Sequence, residues 1–553
     1  MSSWPRHLEL LRFSPQDNWT LDEASLGTLI FGATGSGKTT GPFQYVLRSF
    51  LRHGFGGIFL CAKKQSFDDC MMIVRAESRE KDVVVFELPE SENNPPPLCF
   101  NFLTYEAQRY GEGKVIIENV VRLLTQVSEV SRSSGNDDKF FENAMTQLLR
   151  HALEVIITAR GKVDLGLVLE LVQSLPQGPN DLDDPEKLFS LQLLMEAKEK
   201  GGPARANELY LAEKYFTIEW VALGDKTRSS ISITLTVFLD LFLRFPLRNL
   251  FMGELTISPD HVLKGGILIV NLNIPEFELI SKFAGVIWKH AIQRAIERRP
   301  ELKTPPIESV RPIFIAVDEA QFWVNKSDFL FQTTARSNRG LTVYATQNIA
   351  NFNAEMASDS AGRARVSSMV GNLQNRFFCQ NLEPETNLWA ADSIGRILVK
   401  RFSANVSYGR PLEGETEPTK NVSESVSEQL DYDVQPRIFT GLRRGADLKR
   451  TLNDSNINTT DPKKQGQVEA ILVVAGRRFA TTGERWLRVF FDQFHAPPLW
   501  LMWFNRQPWA YIMDPPPFQT TRMKIFLAAV PLTLRGLWEA RQRVVAARKA
   551  EDL

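Results

Sequence analysis

Eight residues near the start of the chain, GATGSGKT at Gly32–Thr39, stand between an apolar segment, TLIF, and a helix-compatible one, PFQYVLRSFLR. Gly32, Gly35 and Gly37 free the backbone to turn successive N–H groups inward around an anion. A helix that starts just behind them aims its positive end at the same point. With a strand before and a helix after, the pattern predicts a phosphate-binding P-loop. Gly32, Ala33, Thr34, Gly35, Ser36, Gly37, Lys38, Thr39 and Thr40 then form the nucleotide-binding loop. Lys38 is expected to reach the β- and γ-phosphates, and the Thr39 hydroxyl to ligate Mg2+.

The rest of the chain fits an α/β sheet around that loop. Short apolar runs alternate with helix-period segments. Strands are expected at Thr28–Phe31, Gly57–Cys61, Val83–Phe86, Ile267–Leu272, Ile313–Val317, Thr342–Ala345, Arg376–Gln380, Ala470–Val474 and Leu487–Phe491. Most are unbroken apolar runs, so they belong in the middle of a sheet covered on both faces. From Tyr105 to about Lys226 the apolar residues recur at helical spacing instead, which predicts an all-α insertion. The expected organisation is a nucleotide-binding domain in two parts, 1–104 and 227–495. Between them lies the helical domain, 105–226, and after them a tail, 496–553, with a basic helix. Pro95–Pro97 mark the near boundary of the insertion. Ser403–Gln429 and Thr451–Gln467, rich in polar residues, are expected as loops.

Two further strands end in groups suited to a P-loop's chemistry. IFIAVDEA runs five apolar residues into Asp318 and Glu319, and ligands of open α/β sheets bind at the carboxyl ends of strands. Asp318 is expected to hold Mg2+, and Glu319 to orient or deprotonate the attacking water. LTVYATQN places Gln347 to hydrogen-bond the γ-phosphate or the lytic water. Between them, TTARSNRG offers Arg336 or Arg339 as a finger reaching a neighbouring subunit's nucleotide. VNKSD at Val324–Asp328 imitates a guanine-reading motif, but it follows Asp318 too closely and no DxxG accompanies it. ATP is therefore expected over GTP.

The composition excludes more than it selects. Lys plus Arg and Asp plus Glu both total 65, so any surface for a polyanion must be a local patch. Arg437–Arg450 and the arginines near the C terminus (Arg535, Arg541, Arg543, Arg548, with Lys549) are the candidate patches. The four cysteines, scattered and without a CxxC, argue against a disulfide frame or a structural zinc site. No stretch reaches the roughly 18 apolar residues of a membrane span.

Taken in order, these segments resemble the type IV secretion (conjugative) coupling proteins. CAKKQSF keeps Lys63 or Lys64 of that family's segment after the second strand, though not its Asp-Pro. FNFLTYE, with Asn101, stands where the family has Asn-Pro-Leu. DDKFFENAMTQLLRHAL resembles an aromatic–acidic helix of the inserted domain, and TRSSISITLTVFLDLF the segment that returns to the sheet. GNLQNRFFCQNLEPETNLWAADSIG, including Thr386 and Ser393–Gly395, and SEQLDYDVQPRIFTGLRRG are the more specific matches. The resemblance covers about Leu26–Phe491. It implies a RecA-like fold with an all-α domain at the mouth of a hexameric ring, a channel for DNA, and ATP turnover that drives transfer. It places Arg336 where the family's trans-acting arginine falls. The family's usual N-terminal membrane helices have no counterpart here. A cytoplasmic protein is expected, with any attachment to the inner membrane supplied by a partner. Handing over a protein substrate, or acting as a slow nucleotide switch, are the alternatives to moving DNA.

Overall fold

A computed structural model describes residues 3–89, 91–92, 98–108, 117–129, 138–303, 306–356, 360–408, 420–445 and 466–493. The tail 496–553, Pro95–Pro97, residues 446–450 of the basic segment and most of the Thr451–Gln467 loop lie outside the described residues.

A short hairpin, β1 (Glu9–Arg12) and β2 (Asn18–Thr20), precedes the sheet. Next come β3 (Thr28–Phe31), helix α1 (Gln44–Arg52), β4 (Gly56–Cys61), α2 (Lys64–Ala76) and β5 (Val83–Glu87). Helices alone follow: α3 (Phe102–Gln108), α4 (Ile117–Glu129), α5 (Asp138–Arg160), α6 (Leu165–Gln173), α7 (Phe189–Lys214) and α8 (Asp225–Leu243). The chain returns to the sheet with β6 (Ile267–Asn271), α9 (Ile274–Glu297), β7 (Ile313–Val317), α10 (Lys326–Ala335), β8 (Gly340–Thr346) and β9 (Asn375–Phe378). After α11 (Pro384–Ile394), β10 (Arg396–Tyr408) and β11 (Lys420–Tyr432) form a separate ribbon, and β12 (Gln467–Val474) and β13 (Trp486–Asp492) complete the sheet.

All nine strands expected from the sequence form one sheet, in the order β13-β12-β9-β3-β8-β7-β4-β6-β5. From β9 to β5 the neighbours are parallel, and β12 runs antiparallel to both β9 and β13. The unbroken apolar runs have the cause proposed for them. Leu29 and Phe31 enter one core with Ile313, Ile315 and Val317, while Ile30, Phe314 and Ala316 enter the other. Successive side chains of a strand point to opposite faces, so a strand covered twice must be apolar at every position. The first core also receives the insertion and α9; the second receives α1, α2 and the N-terminal hairpin.

The helical run extends past Lys226. TRSSISITLTVFLDLF lies in α8, which packs on α5 and α6 rather than returning to the sheet, and no strand intervenes among the described residues before β6.

Ser403–Gln429 is not a loop. Its described residues supply most of β10 and β11, which pair residue for residue from Arg396↔Tyr432 to Tyr408↔Lys420. The ribbon stands off the core: Leu398 is 66% exposed, Phe402 78% and Leu430 61%. Neither face is buried, so the sequence shows no long apolar run of the kind that announced the other strands. No described helix is long and apolar enough to cross a membrane.

Candidate nucleotide site

β3, β8, β7 and β4 are neighbours and run parallel, so their carboxyl ends share one edge of the sheet. Each end supplies part of the site. After β3, Gly32 N donates to Thr346 O (3.2 Å) and Ala33 N to Gln380 O (2.9 Å), which pins the loop to the ends of β8 and β9. Gly35 and Gly37 take φ of 74° and 85°, the left-handed region in which a side chain is strained. Gly37 is also pressed from outside, since a Cβ there would lie 2.3 Å from Val468 Cγ2 and 2.7 Å from Arg444 O. Arg444 belongs to the basic segment Arg437–Arg450, so the described end of that segment packs on the P-loop.

The helix behind the loop opens as a wide turn over Thr39–Phe43, in which Phe43 N donates to Lys38 O (3.1 Å). Gly41 breaks the helical path (φ −114°, ψ −110°) and Pro42 brings no N–H, so regular α-helix begins only at Gln44. Thr34 and Gly35 are exposed at the crest. Ser36 lies fully buried beneath them with its hydroxyl unpaired, and Gln493 Nε2 donates to Thr40 Oγ1 (3.2 Å).

β7 delivers Asp318 and Glu319, both almost fully buried. Glu319 takes a left-handed φ of 54°, which costs a non-glycine residue about 1–3 kcal/mol and is concentrated in proteins at functional turns. The strain swings its carboxylate into a ring of donors. Lys38 Nζ lies 3.4 Å from Oε1 and Lys63 Nζ 3.2 Å. Gln347 Nε2 is 3.3 Å from each oxygen, and Gln321 Nε2 is 3.1 Å from Oε2. Burial alone raises the acid's pKa, but Lys38, Gln321, Lys63 and Gln347 outweigh it and hold Glu319 below its ordinary value. Asp318 is shifted the other way. Burial pushes its pKa up and Glu319 adds to this, against Lys38 and a hydrogen bond from Ser66 Oγ to Oδ2 (2.7 Å).

Gln347, at the end of β8, is fixed by Asn381 Nδ2, which donates to its carbonyl (2.9 Å). Asn381 is one of the residues in the more specific matching segment. Thr386 from the same segment accepts from Ile349 N (2.9 Å), so that stretch braces the turn after β8.

Lys38, Asp318, Glu319 and Gln347 are thus brought together, and the arginines are not. Arg336 follows α10 at the opposite edge of the sheet, about 20 Å of strand away, and pairs there with Asp22 (2.8 Å). Arg339 is buried and donates to Trp4 O. Asp328 of the guanine-like motif is also spent. It is fully buried, ion-paired to Lys289 (2.5 Å) and bonded to Tyr344 and Gln293 (2.7 Å each). The sequence did not single out Ser66 or Gln321. Ser66 acts on Asp318 through the sheet order, which sets β4 beside β7, and Gln321 acts on Glu319 from two residues on in the same turn.

The loop fits a magnesium–nucleotide complex. Its two left-handed glycines give the tight turn that a phosphate cradle needs, and a buried, unpaired Ser36 hydroxyl lies beneath it. The Thr39 hydroxyl and Asp318 carboxylate are the hard oxygen donors that Mg2+ prefers.

No protein-family model and no curated protein matches the sequence. Solved structures do. The bacterial conjugative coupling protein TrwBdeltaN70, in its unbound monoclinic form, is similar over 88% of this chain and 89% of its own, with a TM-score of 0.56 and 13% identity. The plasmid coupling protein TrwB in complex with a non-hydrolysable ATP analogue is similar over 88% and 92%, with a TM-score of 0.54 and 13% identity. TrwB in complex with ADP and Mg2+ gives 88% and 90%, with a TM-score of 0.53 and 13% identity. The chain therefore has the RecA-like α/β fold of the conjugative coupling proteins, with its helical insertion between β5 and β6.

Proposed function

We propose that this chain is a P-loop ATPase of the coupling-protein kind, a ring-forming motor that moves DNA. The observation that carries the ATPase reading is the convergence of Lys38, Asp318, Glu319 and Gln347 from three neighbouring strand ends. Likeness to TrwB, whose structures contain ADP with Mg2+ and analogues of ATP and GTP, supports nucleotide binding. The buried Asp328 cannot read a base, which favours ATP.

In this reading the N–H groups of Thr34, Gly35 and Gly37 and the Lys38 ammonium hold the phosphates. Thr39 and Asp318 hold Mg2+, and Ser66 orients Asp318. The bound ion neutralises charge on the phosphates. Glu319 is ionised at neutral pH and accepts a proton from the attacking water, and Gln347 orients that water. Lys38 leaves Glu319 to reach the phosphates, while Lys63, Gln321 and Gln347 keep the carboxylate in place. Arg336 acts across a subunit boundary of a homo-hexamer, because its own site is out of reach. The helices between β5 and β6 form a domain of their own, the sheet-bearing parts on either side form the motor, and a membrane-anchored partner tethers the cytoplasmic ring.

The test is ATP hydrolysis by the purified protein with and without single- and double-stranded DNA, beside Lys38→Ala. Hydrolysis that DNA accelerates and Lys38→Ala abolishes is expected. A robust rate indifferent to both DNA forms removes the motor and leaves a protein-handling coupling ATPase or a nucleotide switch.

A further inference from the structure

α9 begins beside the carboxyl end of β4, where Ile274 N donates to Ala62 O (3.1 Å). It ends at the opposite edge of the sheet, where Arg299 donates to Arg311 O (2.6 Å) and to Asn338 O. There its last turns face α3 and α4 of the insertion across a small cleft. Arg122 of α4 and Arg294 and Arg298 from the end of α9 line this cleft, with His290 and Glu106.

The charges in the cleft do not balance. Glu106 accepts from Arg298 Nη1 (3.0 and 3.3 Å), and Glu297 accepts from Arg294 Nη1 (2.7 Å). Arg122 is exposed and has no hydrogen bond or ion pair among the described residues. Among the described residues, three guanidiniums therefore meet two carboxylates, and each guanidinium carries five N–H donors. His290 is 5% exposed, and its Nδ1 is buried without a partner. Burial, then Arg294, Arg122, Arg298 and Lys289, hold the imidazole well below its ordinary pKa. The ring is neutral at pH 7, so one nitrogen carries a hydrogen it can donate. An oxyanion in the cleft would answer the excess charge. A carboxylate has only two oxygens for this fan of donors. A phosphoryl group has more, and guanidinium forks match it in pairs.

We propose that this cleft is a second anion site that binds a phosphate group, held by Arg122, Arg294 and Arg298 with His290 donating from its floor. The group is carried either by free phosphate or by the backbone of a nucleic acid. The site lies at the far edge of the sheet from the P-loop, so it stands whether or not the chain hydrolyses ATP. Glu297, which holds Arg294, also accepts from Thr334 near the end of α10 (2.9 Å), two residues before Arg336. Occupancy therefore bears on the segment that presents Arg336.

The test uses the full chain as Lys38→Ala, which silences the P-loop. Inorganic phosphate is titrated by calorimetry against chloride at matched ionic strength. Saturable binding of one phosphate is expected, weakened about tenfold by Arg294→Gln and by Arg122→Gln, the loss of one charge-assisted contact each. Arg122 is exposed, so its variant keeps the fold, which circular dichroism checks. Absence of phosphate-specific binding, or the same affinity in both arginine variants, overturns the proposal. A second arm measures single-stranded DNA binding by the same proteins. DNA that Arg122→Gln weakens and phosphate displaces identifies a backbone phosphodiester as the source, and DNA binding that neither touches identifies free phosphate.

Discussion

Glu319 leaves β7 in a left-handed turn and is met there by two lysines and two amides. Glu319→Gln keeps the shape but cannot take a proton. Nucleotide should still bind, followed with a fluorescent analogue, while turnover falls by about 10²–10⁴. Normal turnover would remove Glu319 as the base. Ser66 offers a subtler test, because its hydroxyl is the side-chain donor that holds Asp318 Oδ2. Ser66→Ala should raise the Mg2+ concentration needed for half-maximal hydrolysis by roughly tenfold, equivalent to losing a hydrogen bond to a buried charged group. An unchanged Mg2+ requirement would contradict that role. The loop glycines, Lys38, Asp318, Glu319 and Gln347 were legible because each stands at the end of an apolar run. Ser66, in KKQSF, was not, because its importance comes from a strand order that no local pattern encodes.

Among the elements, most of the sheet strands could be read because burial on both faces leaves an unbroken apolar run, and the edge strand β13 by its alternation of buried and exposed residues. The ribbon of β10 and β11 could not, because it pairs in solvent and its apolar residues are diluted by Ser and Glu. Two buried polar ties give these elements their stability tests. Lys289 of α9 and Asp328 of α10 are both fully buried and bridge to Tyr344 on β8, the strand that carries Gln347. Lys289→Met strands a buried carboxylate and should cost about 3–5 kcal/mol, read by urea unfolding. Adding Asp328→Asn should recover part of the loss. Asp17, buried between the N-terminal hairpin and the turn of β12 and β13, is the second. Burial raises its pKa, but hydrogen bonds from Thr481, Ala480 and Ser14 outweigh it and hold the acid well below its ordinary value. Its folded pKa lies below its unfolded one, so its contribution is complete above about pH 4 and is lost as pH falls below that. Asp17→Asn should lower stability at pH 7 and flatten the acid limb of the stability curve. An unchanged acid limb would show that the tie contributes nothing.

For the whole molecule, the proposed trans role of Arg336, which pairs with Asp22 at the opposite edge of the sheet from its own P-loop, requires an assembled ring. Its pair with Asp22 is solvent-exposed and worth about 0–1 kcal/mol. Arg336→Ala should therefore leave the unfolding midpoint nearly unchanged while lowering hydrolysis by about 10³-fold, the scale of an arginine finger. That loss should appear only at concentrations at which mass photometry shows assembled wild-type rings. A strict monomer with full activity would remove the trans role. The proposed role of the cluster at the ends of β3, β7 and β8 is to hydrolyse ATP and so move DNA. Steady-state ATPase of the wild type and Glu319→Gln, each with and without single- and double-stranded DNA, tests it most directly. The wild-type rate should be raised by at least one DNA form and abolished in Glu319→Gln. A rate that neither DNA nor the substitution alters would contradict it.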